Sequence, residues 1–477
     1  MSPILAAFIV FLLTYILVRL LHLTTPASAP LIYAKDRSSQ FVQSILTLCP
    51  ILQQTYVPPT LWGKSGHIQT FVYAKMGRVN IPAPNGIRHT KIMSDGATLT
   101  FDLHEPLVPH ITGESYCLLF CPGIGNNSES PYVRTLVHHA QNNGYYAAVL
   151  NHIGSLKNVP ITSPRIFTYG GTEELHTVRT EIERLHPKCG IILVGCSMGA
   201  NIVVKYLGEH VKHQDGILAA VSINQGYDVN KAKPFLLSWY HLRRAYIYVM
   251  TRNQKKMIRR HKEQLFNESI KSQTGISEDA VFAAQTIAEL DEAYTRRRHG
   301  FQSVEDYYHH NSCFNCLPKV QIPLLVVNAE DDPIVPTPLL ECPLQATKTL
   351  PNMIFVVTKH GGHLGFYERG FLRPNSLTWM DRLIMEYANA VTRLHQQGSL
   401  PKSVHDVSTD HMMCHDDVND HMMCHDDVND HKMCHDDDTD EKHTSVAEVK
   451  EEGSSISQRS FDTERPSCEC VPNGVCE

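Results

Sequence analysis

Residues 190–210 read GIILVGCSMGANIVVKYLGEH. The opening GIILVG is apolar for long enough to make a strand buried on both faces, and the ANIVVKYLGEH that closes the run reads as helix. Between the two stands Gly195-Cys196-Ser197-Met198-Gly199, a G-x-S-x-G. As a bare pentapeptide this is weak. Directly after a strand and directly before a helix, it is what a nucleophile elbow requires. Ser197 would sit at a tight turn, flanked by glycines because a Cβ at those positions would clash. The Met198 N–H would then stand at a helix N-terminus, aimed at a developing oxyanion.

A serine hydroxyl needs a base, and the base needs an orienting acid. In a fold with such an elbow they follow the serine in the order acid, then histidine, each in a loop after a later strand. Two runs meet that requirement. Strand candidate 322–328 is followed by Glu330-Asp331-Asp332-Pro333-Ile334-Val335-Pro336, and strand candidate 353–358 by His360-Gly361-Gly362-His363-Leu364-Gly365-Phe366. The D-P-x-x-P run selects Asp332 as the acid, with Asp331 in reserve. The flanking glycines and the H-L-G-F run select His363 over His360 as the base. A second oxyanion donor is expected from the glycine-rich loop Cys121-Pro122-Gly123-Ile124-Gly125-Asn126, where the Ile124 N–H is the candidate. An H-x4-D pair, His210 and Asp215, lies at the far end of the helix after Ser197 and is set aside.

Further short apolar runs occur at 97–103, 116–121, 145–151 and 217–223, with helix candidates near 131–142, 172–186 and 198–210. This alternation predicts a largely parallel sheet covered by helices on both faces. The stretch 225–321 is too long for a connection between core strands and is expected to be a cap or lid. Within it, residues 243–262 carry eight Lys+Arg and no acid. A solvated helix face and a membrane-facing surface at the site entrance both account for that segment.

At the N-terminus, residues 4–18 (ILAAFIVFLLTYILV) are apolar, and the run continues past Arg19 to Leu23. That length suits an uncleaved transmembrane anchor with Arg19 snorkelling to the interface. A cleaved signal peptide is the rival, with TPASA at 25–29 as its cleavage site, but nothing basic precedes the apolar run. Arg19, Lys35 and Arg37 follow the helix, which argues for a cytosolic body. The sequons Asn126-Asn127-Ser128 and Asn267-Glu268-Ser269 would carry glycans only on the opposite side, and the side is left open. Residues 402–477 hold 6 Lys+Arg against 20 Asp+Glu, a net of −14, so the first 401 residues carry +8 toward the whole-chain −6. The tail contains HMMCHDDVND twice, at 411–420 and 421–430, then HKMCHDDDTD at 431–440. Its His, Met, Cys and Asp side chains could ligate metal, but a duplicated acidic, disordered tail explains them with less. The 14 cysteines follow neither a disulfide framework nor a zinc pattern, Cys313 and Cys316 forming a lone C-x-x-C.

The runs HIQTFVYAKMGR (67–78), DGATLTFDL (95–103), CPGIGNNSE (121–129), LNHIGSL (150–156), TSPRIFTYG (162–170), NIVVKYLGE (201–209), HGGHLGF (360–366) and LTWMDRL (377–383) resemble the AB hydrolase 4 family over roughly residues 1–395. The resemblance implies an α/β-hydrolase fold: a mostly parallel central sheet flanked by helices, with a helical cap insertion and an N-terminal transmembrane helix. It carries the family's nucleophile, acid and base onto Ser197, Asp332 and His363, and implies activity on acylglycerols and other lipid esters. It also implies a single-pass type II orientation, which disagrees with the charge rule.

The expected organisation is an anchor at 1–24, an N-terminal extension at 25–89 packing on the core, a hydrolase domain at 90–395 with its cap at about 225–317, and a disordered acidic tail at 396–477. The expected function is a membrane-anchored serine esterase, an acylglycerol lipase of the plasma membrane or endoplasmic reticulum. It needs no metal or organic cofactor and no nucleic-acid partner. Two alternatives use the same residues: an acyltransferase working through the same acyl-enzyme, and a lipid- or steroid-binding signalling protein with gated hydrolysis.

Overall fold

The computed structural model describes residues 2–75 and 84–401. The repeats at 411–440 and the C-terminal cysteines lie outside the described residues. Nine strands form one sheet: β1 (Leu31–Tyr33), β2 (Ile87–Ile92), β3 (Thr98–His104), β4 (Tyr116–Cys121), β5 (Tyr146–Asn151), β6 (Gly190–Cys196), β7 (Ile217–Ile223), β8 (Leu324–Ala329) and β9 (Met353–Thr358). Their spatial order is β1-β9-β8-β7-β6-β4-β5-β3-β2. The six strands from β9 across to β5 are mutually parallel, while β1, β3 and β2 add antiparallel edges.

Side-chain alternation on β6 shows why its run had to be apolar throughout. Ile191 and Leu193 pack into one core with Val178 and Ile182 of the helix Glu173–Leu185 and Ile202 of the helix Met198–Glu209. Ile192 and Val194 point the other way, against Leu136 of the helix Pro131–Gln141 and Ile384 and Val391 of the helix Trp379–Gln396. A strand covered on both faces has no polar side, the signature of a parallel central strand. The last of these helices is started by a capping box: the Thr378 hydroxyl accepts from the Asp381 N–H, and the Asp381 carboxylate accepts from the Thr378 N–H.

The sheet reaches further toward the N-terminus than the expected domain start at 90. β2 begins at Ile87, and β1 adds to the free edge of β9 through Leu31–Tyr33. Neither strand has a sequence signature. β1 has three residues, and β2 (IRHTKI) is an edge strand whose Arg88 pairs with Asp102 of β3. The helix Gln40–Leu48 buries Phe41, Val42, Ile45 and Leu46 against the core shared with Trp379–Gln396.

The cap lies between β7 and β8. Its helices include Val229–Leu236, Arg243–Arg260, Glu268–Thr274 and Val304–Asn311, with one π-helical turn at Asp291–Thr295. The helix Pro3–Leu20 has 18 residues and buries none of them. At 1.5 Å per residue it spans about 27 Å, close to a bilayer's hydrocarbon thickness, so by length and composition it is able to cross a membrane.

Candidate active site

The turn after β6 forces Ser197 to φ +55°, ψ −119°, a conformation that costs on the order of 1–3 kcal/mol for a non-glycine residue. Its neighbours must therefore leave room. A Cβ at Gly199 would lie 1.9 Å from the Cys121 carbonyl oxygen, and one at Gly195 would lie 2.5 Å from Ala200 Cα. Both contacts are with backbone, so no side-chain motion relieves them. The glycines let the turn close tightly enough for the serine to project beyond the carboxyl end of the sheet.

Ser197 Oγ lies 2.8 Å from His363 Nε2, and His363 Nδ1 lies 2.8 Å from Asp332 Oδ2. An ionised carboxylate only accepts, so Nδ1 carries the proton and Nε2 accepts from the serine hydroxyl. Asp332 is 2% exposed, yet its charge is well met. Its Oδ1 accepts from the Ile334 N–H (2.7 Å) and the Val335 N–H (3.0 Å), and its Oδ2 also accepts from Asn224 Nδ2 (2.7 Å). The D-P-x-x-P run has a physical role here, because the two N–H groups that turn back to the carboxylate belong to it.

Asp331 and His360, the reserves, stand apart from this chain. Asp331 Oδ1 accepts from the Gly362 N–H (2.8 Å), its Oδ2 lies 3.6 Å from His360 Nδ1, and burial pushes its carboxyl above the usual range. The pair braces the loop that presents His363. Thr70 Oγ accepts from the His363 N–H (2.8 Å), and the same Asn224 amide that serves Asp332 also donates to the Gly362 carbonyl (2.8 Å). Sequence reasoning missed Asn224 and Thr70. Asn224 closes β7 at φ +50°, and an asparagine following a buried strand is a usable signal for such a position. Thr70 comes from a distant helix, Gly66–Lys75, and has no local signature.

The loop after β4 runs beside the serine. A Cβ at Gly123 would stand 3.3 Å from Ser197 Cβ, and the Gly123 N–H donates to the Tyr132 hydroxyl (3.1 Å). Ile124 and Met198 line the same cleft as Ser197 and His363. The Met198 N–H belongs to a first helical turn, whose N–H groups have no acceptor within the helix. The cleft encloses about 900 Å³, part of it open to solvent. Its walls are mainly apolar, with Val229, Leu236, Ile247 and Met250 from the cap and Ile334 and Leu339 from beyond β8. Asp291 and Tyr308 add a polar spot to the cap wall. Their side chains are hydrogen-bonded to each other (2.8 Å), and burial lifts the Asp291 carboxyl to about 6. His210 and Asp215 flank the short turn Val211–Gln214 at the other end of the elbow helix. Among the described residues no cluster of side chains is arranged to hold a metal ion.

Comparison with known proteins gives the family. Residues 116–370 match a family model described as the alpha/beta hydrolase fold. The monoacylglycerol lipase ABHD2 of Mus musculus is 44% identical over 388 residues, 81% of this chain and 91% of that protein. Abhydrolase domain-containing protein 2 of Drosophila melanogaster is 40% identical over 386 residues, 81% and 96% of the two chains. The human phospholipase ABHD3 is 26% identical over 384 residues, 78% and 87% of the two.

Proposed function

The chain belongs to the α/β-hydrolase family, and we propose that it is a serine hydrolase that cleaves lipid carboxylic esters, acting as an acylglycerol lipase through an acyl-enzyme on Ser197. The observation that carries this reading is the unbroken hydrogen-bonded run from Ser197 Oγ through His363 to Asp332, opening onto an apolar cleft. His363 takes the serine proton as Oγ attacks the ester carbonyl, and the charge that develops on the carbonyl oxygen is held by the Ile124 and Met198 N–H groups. Collapse of that intermediate breaks the bond to the alcohol, which leaves with the proton from His363. Water, deprotonated by the same imidazole, then releases the fatty acid. Asp332 keeps its charge throughout and stabilises the imidazolium. The relatives named monoacylglycerol lipase support the choice of acylglycerol among lipid esters.

Delivery from a bilayer fits the cap. Leu236, Leu237, Ile247 and Met250 line the cleft, while Trp239, Tyr240, Leu242 and Tyr248 of the same segment are exposed, with Arg244 stacked over Trp239. Aromatic and cationic side chains together suit an anionic membrane interface, and the helix Pro3–Leu20 would hold the body there. The test is fatty-acid release from monoacylglycerol by the purified protein beside Ser197→Ala. Wild type should turn over and the variant should lose about three orders of magnitude or more. Equal activity in both would refute the reading.

A further inference from the structure

The apolar cleft accounts for the acyl chain of an ester but not for its alcohol. A second cavity adjoins it. Ile124 and Met250 line both, and Ile124 belongs to the loop that runs beside Ser197, so the wall the two chambers share stands next to the nucleophile. Their chemistry differs. The second chamber is lined by polar side chains, Asn127, Asn253 and Gln254 among them, and by three cations, Lys157, Lys256 and Arg260.

Positive charge is in excess in this chamber, three cations against one acid, Glu129. Glu129 lies 3.7 Å from Arg88, whose guanidinium is held more closely by Asp102. Among the described residues neither Lys157 nor Lys256 has an ion-pair partner. Arg260 gives its Nη2 to the Gly154 carbonyl (2.7 Å) and faces no carboxylate. Burial accordingly lowers the Arg260 guanidinium, with no acid nearby to offset it. Cations gathered in excess at a polar recess form a site for an anion, and guanidinium and ammonium groups both suit phosphate.

We propose that this chamber binds the head group of an anionic glycerolipid, so that the enzyme prefers an acylglycerol whose free end carries a phosphate over a neutral one. This rests on the ester-hydrolase reading above and adds the identity of the alcohol. The acyl chain lies in the apolar cleft and the ester carbonyl at Ser197, while the glycerol phosphate reaches across Ile124 to Lys157, Lys256 and Arg260. Serine attack breaks the acyl C–O bond. Glycerol phosphate leaves with the proton from His363, and water releases the fatty acid, so no oxidant or further reactant enters the balance.

The experiment uses the full chain in neutral detergent and water-soluble hexanoyl esters, so that no lipid interface contributes. The value of kcat/KM is measured for 1-hexanoylglycerol and for 1-hexanoylglycerol 3-phosphate, in wild type and in Lys157→Ala/Lys256→Ala. At low ionic strength the phosphate ester should be preferred. The ratio of the two values should fall about tenfold in the double variant, as expected for two partly exposed charge contacts of up to about fivefold each, and it should also fall with added salt. A purely structural loss would lower both rates together and leave the ratio unmoved, overturning the proposal. A wild type that favours the neutral ester overturns it too, while its turnover keeps the hydrolase reading. Inorganic phosphate that competes as well as glycerol 3-phosphate would mean a site for the free ion and would overturn the head-group assignment. No turnover of either ester sinks the hydrolase reading and this one with it.

Discussion

Replacing Asn224 by glycine removes two hydrogen bonds that depend on one amide. Nδ2 donates to Asp332 Oδ2 at 2.7 Å and to the Gly362 carbonyl at 2.8 Å, so the group ties the acid to the loop that carries His363. A bond to a carboxylate is worth roughly 1.5–3 kcal/mol and one to a neutral carbonyl roughly 0.5–1.5 kcal/mol, about 2–4 kcal/mol together. Asp332 keeps its two backbone donors and its contact with His363. The triad should therefore survive but lose orientation, and only part of that energy should appear in the chemical step. The expected result is a 10- to 100-fold fall in kcat, about 1.4–2.8 kcal/mol, with KM changed less than about twofold because the amide's two bonds hold the triad, not the acyl chain. Glycine is preferred to alanine because Asn224 sits at φ +50°, which glycine adopts freely, so backbone strain does not confound the result. Initial rates of fatty-acid release and a thermal melt are recorded on the same preparation. A folded variant whose kcat stays within twofold of wild type refutes the positioning role.

Gly199→Ala drives a Cβ to 1.9 Å from the Cys121 carbonyl oxygen. The elbow should open, with activity lost and the melting temperature lowered, and a wild-type melt with full activity would show that the turn tolerates a side chain. Val229→Trp fills the cap wall of the cleft. Long-chain acylglycerols should lose at least about tenfold in kcat/KM while acetate esters are hydrolysed as before, since a pocket lacking the needed volume rejects the larger group; equal loss on both substrates would argue against an acyl channel there. Burial raises Asp291 from its usual 3.8 to about 6. The folded state thus holds this proton more tightly than the unfolded chain, and the stabilisation present below about pH 4 is lost as pH rises through 6, by up to about 3 kcal/mol. Asp291→Asn removes this dependence, so its melting temperature relative to wild type should rise between pH 4.5 and pH 7.5. A difference that does not change with pH would contradict the assignment.

What could be read from the chain follows from how local each determinant is. The elbow was legible because strand, G-x-S-x-G and helix are contiguous and each constrains the next. Asp332 and His363 were legible by their order and by the loops that carry them, and the geometry joins both to Ser197. Asp331 lies one residue from Asp332 and shares its loop. What separates the two is the direction of the Ile334 and Val335 N–H groups, which only the D-P-x-x-P run hinted at. Asn224 and Thr70 reach the site from elements remote in sequence, and a single asparagine or threonine carries no periodic signal. β1 and β2 were missed because edge strands take their pairing from a neighbour already in place rather than from an apolar pattern of their own. The length of the cap was plain, but which of its residues line the apolar cleft at Ser197 and which line the cationic chamber next to that cleft depends on tertiary packing.

Every step of the proposed reaction depends on Ser197 being the nucleophile. It is tested most directly by treating the full chain with a fluorophosphonate and mapping the adduct by peptide mass spectrometry. One modified residue, Ser197, is expected, with labelling abolished in Ser197→Ala and strongly slowed in His363→Ala. An adduct on a different serine, or labelling that survives Ser197→Ala, would contradict the account.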